Sequence, residues 1–293
     1  MYERSAGKYT GNDVYSNSPA GFEVEDLSKP TISDNQIHHN AGRGLLVQNK
    51  GLGTLSNNHI FENDIAGIHM RTEANMLCNG NDFCNSKDTA VLVTDGAFGM
   101  FELNRIYSNT NTGVTIQSNA NPTLRYNDIM DNGTKSLKGA GIRVEKNGEG
   151  NLRYNDIFDN HNYGVEVKGN ANPYLKLNSI HESMGDGNAV HISGGATGQF
   201  EQSQIYNDSF NGMRVSADSS PRLFGNRFTH AGNPHPNPDP NPNPNYDVVT
   251  EPKYCQAPFP PHLAHHPADT AVRRAAAIKK HGPGTVPKFT RDY

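Results

Sequence analysis

An apolar residue returns every 23 positions along most of this chain, and no other feature restricts the fold as much. Val14, Ile37, Ile60, Phe83, Ile106 and Ile129 stand 23 residues apart. Ile157, Ile180, Ile205 and Phe228 follow at steps of 28, 23, 25 and 23, which read as insertions into one continuing period. A period of this size belongs to solenoids, propellers and stacked arrays, in which each unit packs only on its neighbours.

A second apolar file stands five residues earlier: Ile32, Leu55, Cys78, Phe101, Leu124, Leu152, Leu175, Phe200 and Leu223. After each repeat position comes Gly or Ala and then an apolar-variable-apolar triplet, as in GVTI, GIRV, GVEV and GMRV. That alternation marks a strand with one buried face. Three such short strands per period, divided by Asn, Gly and Pro, suit neither hairpins nor βαβ units. The sequence therefore predicts an all-β fold, a right-handed parallel β-helix of nine to ten coils, the hand following from the chirality of parallel crossovers. Asn recurs two residues before the repeat position, from Asn12 to Asn226, with Ser203 the departure. It recurs again three residues after it, at Asn17, Asn40, Asn63, Asn109, Asn132 and Asn160. Stacked at corners, these amides can bond up and down a ladder. Corner type alternates as well, through Pro30, Gly53, Met76, Gly99, Pro122, Gly150, Pro173, Gly198 and Pro221, so the full unit is a pair of coils.

Only 34% of the 293 residues are hydrophobic, too few for one thick core but enough for a thin one filled coil by coil. A net charge of −4 gives no footprint for nucleic acid or an anionic membrane. No apolar run is long enough for a membrane-crossing helix. The segment after Met1 lacks a basic-then-apolar leader, and the cysteines are three, Cys78, Cys84 and Cys255. Both points predict an intracellular protein of cytoplasm or nucleus with free thiols, in which the sequons at Asn132 and Asn207 carry no glycan. The pattern stops near Gly232, which makes 1–232 the β-helix domain. Residues 233–293 read as a Pro-rich linker, NPHPNPDPNPNPN, and a disordered basic tail in which ADTAVRRAAAIKKHG is the only stretch with helical character.

The alternating coils NKGLGTLSNNHIFENDIAGIHMRTEAN and SNANPTLRYNDIM resemble the CASH-type (PbH1) β-helix of the F-box only proteins, the tenth and eleventh members in particular. The resemblance covers about Asn12 to Phe228. It implies a non-enzymatic scaffold that recognises protein substrates for an SCF-type ubiquitin ligase. The F-box and the zinc-finger module of that family have no counterpart in this sequence.

Two groups of residues are candidates for function. Asp128 and Asp156 stand one residue before the repeat position in adjacent coils, and Asp131 and Asp159 two after it, with Glu182 next. Stacked carboxylates can raise a pKa for acid-base work or hold Ca²⁺. They can also form the pair of a glycosidase. This gives the alternative reading, a carbohydrate-active β-helix of the lyase, glycosidase or uronan epimerase kind. Against it, no Arg or His signature beside the acids is visible, and Arg105, Arg125 and Arg153 would pair with them. The second group is the outward file of the third strand: Glu23, Leu46, His69, Leu92, Thr115, Arg143, Glu166, His191 and Arg214. The first half exposes Leu46 and Leu92, the second alternates charge, and no outward Trp or Tyr row offers a sugar platform. A protein partner is expected there, meeting Lys135 and Lys138 of the insertion NGTKSLKGA together with Arg143, Glu166, His191 and Arg214. No cofactor or metal is expected, since His262, His265, His266 and Cys255 fit no tetrahedral spacing.

Overall fold

The computed structural model describes residues 3–185, 187–206 and 212–229, all within the first of its two units, Met1–Gln256. The Pro-rich linker, the tail with its helical stretch, the His262 group and the Asn207 sequon lie outside those residues.

The described chain is a parallel β-helix. Its strands form three sheets of 10, 10 and 9 members. One full coil shows the order: Thr31–Ser33 in sheet A, Gln36–His38 in sheet B and Arg43–Val47 in sheet C. Every file predicted from the 23-residue period is in register, with Tyr9 opposite Ile32, Ile129 opposite Ile157 and Arg143 opposite Glu166. The 28-residue step does not disturb it, because Leu124 still pairs with Leu152 while the extra residues loop out between Gly133 and Gly139.

The bends that divide the strands come from single left-handed residues. Tyr126, Tyr154 and Leu177 turn the chain from sheet A to sheet B, and Asp131, Asp159 and Glu182 turn it towards sheet C, all with φ between 50° and 58°. Each bend turns backbone polar groups away from the sheet ladders, and the following Asn satisfies them. The Oδ1 of Asn104 accepts from both the backbone N–H and the Nδ2 of Asn81. Its own Nδ2 donates to the Cys78 carbonyl and to Asn127 Oδ1. This pattern repeats down the first ladder. The second ladder is interrupted at Ser86 and Ser183, whose buried hydroxyls have no hydrogen-bond partner. Asn132 is fully buried in that ladder, so its sequon is closed to a glycan whatever the compartment.

Corner alternation also has a backbone cause. Gly53, Gly99, Gly150 and Gly198 adopt φ between 103° and 131°, which side chains rarely tolerate. A Cβ on Gly53 would sit 2.4 Å from the Pro30 carbonyl oxygen of the preceding coil.

The core is one continuous column. Each coil sends one residue inward from sheet A, one from sheet B and two from sheet C, and from Ile32 to Phe200 these files are fully buried. Tyr9, Val14 and Phe22 in the first coil and Leu223 and Phe228 in the last are only partly buried.

Candidate active site on sheet B

Sheet B strands are three residues long with the middle one inward, so each coil presents two side chains on the outer face. The first file is polar: Asp13, Gln36, His59, Asp82, Arg105, Asp128, Asp156, Ser179 and Gln204. The second carries rings at seven of nine positions: Tyr15, His38, Phe61, Cys84, Tyr107, Met130, Phe158, His181 and Tyr206. No outward Trp or Tyr row is expected from the sequence; this second file is instead a mixed row of Tyr, Phe and His. Tyr15 stacks on His38 with centroids 5.4 Å apart, and His38 on Phe61 at 4.6 Å. Further on, His181 lies between Phe158, at 5.4 Å, and Tyr206, at 4.8 Å, all near parallel. Coil spacing of about 4.8 Å brings such rings together without any special loop.

Three second-file residues lean back to the first-file residue of the coil before. His181 Nε2 meets Asp156 Oδ1 at 3.0 Å, His38 Nε2 meets Asp13 Oδ1 at 2.7 Å, and Cys84 Sγ meets His59 Nε2 at 3.4 Å. His181 also has Glu182 Oε2 3.2 Å from Nδ1, so both ring nitrogens face carboxylates. Burial opposes its imidazolium, but Asp156 and Glu182 outweigh burial and raise its pKa above the ordinary value. Asp159, at the corner beside it, is also raised, first by burial and then by repulsion from Glu182 and Asp131, with His181 acting against them.

The four predicted carboxylates therefore divide. Asp131 and Asp159 crowd one another at the corner, as their spacing suggests. Asp156 is engaged by His181, and Asp128 stands in register with Arg105, which lies 3.6 Å from Asp82 and over the Tyr107 ring at 4.8 Å. The sequence reading found no His beside the acids; His181 is that residue. The ring file, one residue after each repeat position, would have revealed it had it been read down the coils.

The outward file of sheet C is in register throughout, but it is not an exposed apolar stripe. Leu46 is 5% and His69 6% exposed. Arg143 Nε bonds Glu166, its Nη2 bonds the Lys138 carbonyl, and Lys168 bridges Glu166 and Glu145. His191 tilts against Tyr163 with its Nδ1 buried and unbonded, and Arg214 is exposed in the next coil. The insertion holds Lys135, the 52% exposed Leu137 and Lys138.

The sequence matches the family model described as right handed beta helix region over residues 1–82 and 65–180. No curated protein sequence matches it. The fold is similar to the periplasmic alginate epimerase AlgG, at 15% identity and a TM-score of 0.66, covering 79% of this chain and 61% of that one. A single-site variant of AlgG superposes equally well, at 16% identity, a TM-score of 0.66 and the same coverage. The A-module of the Azotobacter vinelandii mannuronan C-5 epimerase AlgE4 is also similar, at 15% identity and a TM-score of 0.45, covering 77% and 67%. The chain thus spans about 61% of the length of AlgG, and at this identity the likeness is one of fold. The intracellular expectation is corrected by AlgG, a periplasmic protein built on this fold. Its cysteine premise fails physically too: Cys78 and Cys84 are buried in the coil stack, where burial holds both thiols above their ordinary pKa and away from oxidants, so they carry no record of compartment.

Proposed function

Because this chain belongs to the right-handed β-helix family, we propose that it is a carbohydrate-active member, working on an extended polysaccharide laid along the ring file of sheet B. The observation that carries the reading is His181, held between Asp156 and Glu182 within a row of stacked rings. Ring edges give a sugar chain an apolar track, and the polar file beside them offers hydrogen bonds. The fold likeness to an alginate epimerase supports the same substrate class.

A uronate fits the site better than a neutral glycan. Glycosidases need two available carboxylates across the scissile bond, and Asp156 is spent on His181. In a uronate the C5 hydrogen is acidified by the adjoining carboxylate. A base removes it from one face, and an acid then either delivers a proton to C5 from the other face or protonates the C4 oxygen as the C4–O bond breaks. Asp159, with its raised pKa, takes the role of proton acceptor, and the imidazolium of His181 that of donor. With alginate or polygalacturonate, native protein should convert the uronate signals in the proton NMR spectrum or form unsaturated ends. His181→Gln should lower the rate by about 10²–10⁴-fold at unchanged melting temperature. No turnover by the native protein across polyuronates would contradict the reading.

A second reading, protein docking of the kind that the F-box only resemblance implies, is favoured by the insertion. Lys135 and Lys138 take part in no ion pair among the described residues, and Leu137 between them is exposed. Arg143, Glu166, His191 and Arg214 continue the surface. Arg143 and Glu166 neutralise each other, which leaves the loop and the exposed Arg214 as the parts with charge to offer.

A further inference from the structure

Two arginines on the outer face of sheet C are held by neutral partners. Arg43 donates its Nε–H to His69 Nδ1 at 3.0 Å. His69 passes its Nε2–H to Thr94 Oγ1 at 3.1 Å, and the Thr94 hydroxyl donates to Asp95 Oδ2 at 3.0 Å. A guanidinium can only donate, so the chain runs one way and fixes His69 as the neutral Nε2–H tautomer. Arg71, in the next coil, donates Nε and Nη2 to Gln48 Oε1 at 2.8 and 2.5 Å. The Gln48 amide in turn donates to Glu23 and Glu25.

Ion pairs elsewhere join Arg105 to Asp82, Arg125 to Glu102 and Arg143 to Glu166. Among the described residues neither Arg43 nor Arg71 is in one. A carboxylate in place of His69 or Gln48 would fix the same side chains while cancelling their charge. A neutral acceptor fixes them and leaves the charge available. The bonds above also leave Nη1 and Nη2 of Arg43 and Nη1 of Arg71 to bond a ligand. The local field agrees: burial, Arg43 and Arg71 together push His69 down to about 4 against Asp95, and burial and Arg71 lower Arg43 itself. Glu23 and Glu25 stand one hydrogen bond beyond Gln48, and Asp95 two beyond His69; these three carboxylates outnumber the two guanidiniums, so only a singly charged ligand suits the site.

We propose that Arg43 and Arg71 form a receptor for a carboxylate group, borne by a free organic acid or by a uronate unit of a polysaccharide, with His69 and Gln48 as positioning residues. The receptor is on sheet C and does not depend on the sheet B reading.

Calorimetry with sodium acetate, sodium glucuronate, a uronate tetrasaccharide, glucose and inorganic phosphate tests it. Saturable glucuronate binding is expected, at least tenfold weaker in Arg43→Gln and in Arg71→Gln, with none for glucose. Equal affinity for acetate and glucuronate assigns a free acid; tenfold tighter tetrasaccharide binding assigns the polymer. Phosphate binding more tightly than glucuronate would overturn the monoanion assignment. Glucuronate binding kept by Arg43→Gln and lost by His181→Gln would move the carboxylate to sheet B and overturn the proposal. Should an arginine variant fail to fold, the native protein decides the matter: saturating glucuronate must raise the NMR-titrated pKa of His69, and an unmoved titration overturns the receptor.

Discussion

Asn104 shows what one residue contributes to a stack of this kind. Its amide closes a backbone bend, joins its own coil to the next at Asn127 and receives two donors from Asn81. Asn104→Ala leaves several buried polar groups without partners, each worth about 1–3 kcal/mol, and should destabilise the protein by at least about 2 kcal/mol in urea melts. Loss of less than half that amount would mean that the ladder is decoration. His69 sets a pH dependence of definite sign. Its folded pKa is about 4 while the free side chain titrates near 6.5, so between those values the unfolded chain binds the extra proton. Stability should therefore fall as pH drops from 6.5 to 4, by about 3 kcal/mol at most. His69→Gln should flatten that part of the profile, and an unchanged profile would contradict the neutral tautomer assigned to it. His181 is legible in the sequence only when its file is read down the coils, not along the chain. Its carboxylate partner Asp156 lies 25 residues away, and only the lean of one file onto the preceding coil joins them.

At the scale of elements, the strands were fully legible, because a period of 23 fixes register as well as strand type. Every inward file read from the sequence recurs in the pairing of the three sheets. Outward files were less legible. The same alternation marks Leu46 and Arg214 as outward, yet one is buried and the other exposed. The insertion tests the elements directly. Register passes unbroken from Leu124 to Leu152, so deleting Gly133 to Lys138 should leave the melting temperature within a few degrees of native. Pull-downs with the shortened chain should lose partners that the full chain keeps if the loop docks a protein. Identical partners would move docking elsewhere, and failure to fold would show that the loop supports the stack.

At the scale of the whole stack, the described coils present sheet faces that differ. Sheet B carries rings, acids and histidines, and sheet C a paired-arginine region followed by a salt-bridged file. Low hydrophobic content, read at first as a constraint on core thickness, also means that most side chains are free to specialise these faces. The fold alone does not choose among epimerase, lyase and binding scaffold. What chooses is proton transfer at sugar C5, which an epimerase and a lyase share and a scaffold lacks. The most direct measurement is deuterium incorporation at C5 when native protein and the His181→Gln variant are incubated with polyuronates in D₂O. The account predicts C5 deuteration, or deuterium-sensitive elimination, by the native protein and loss of at least 99% of it in the variant, in keeping with the ~10²-fold or larger contribution of a positioned acid or base. Native protein that leaves every polyuronate unexchanged, or a variant as active as native, would contradict it.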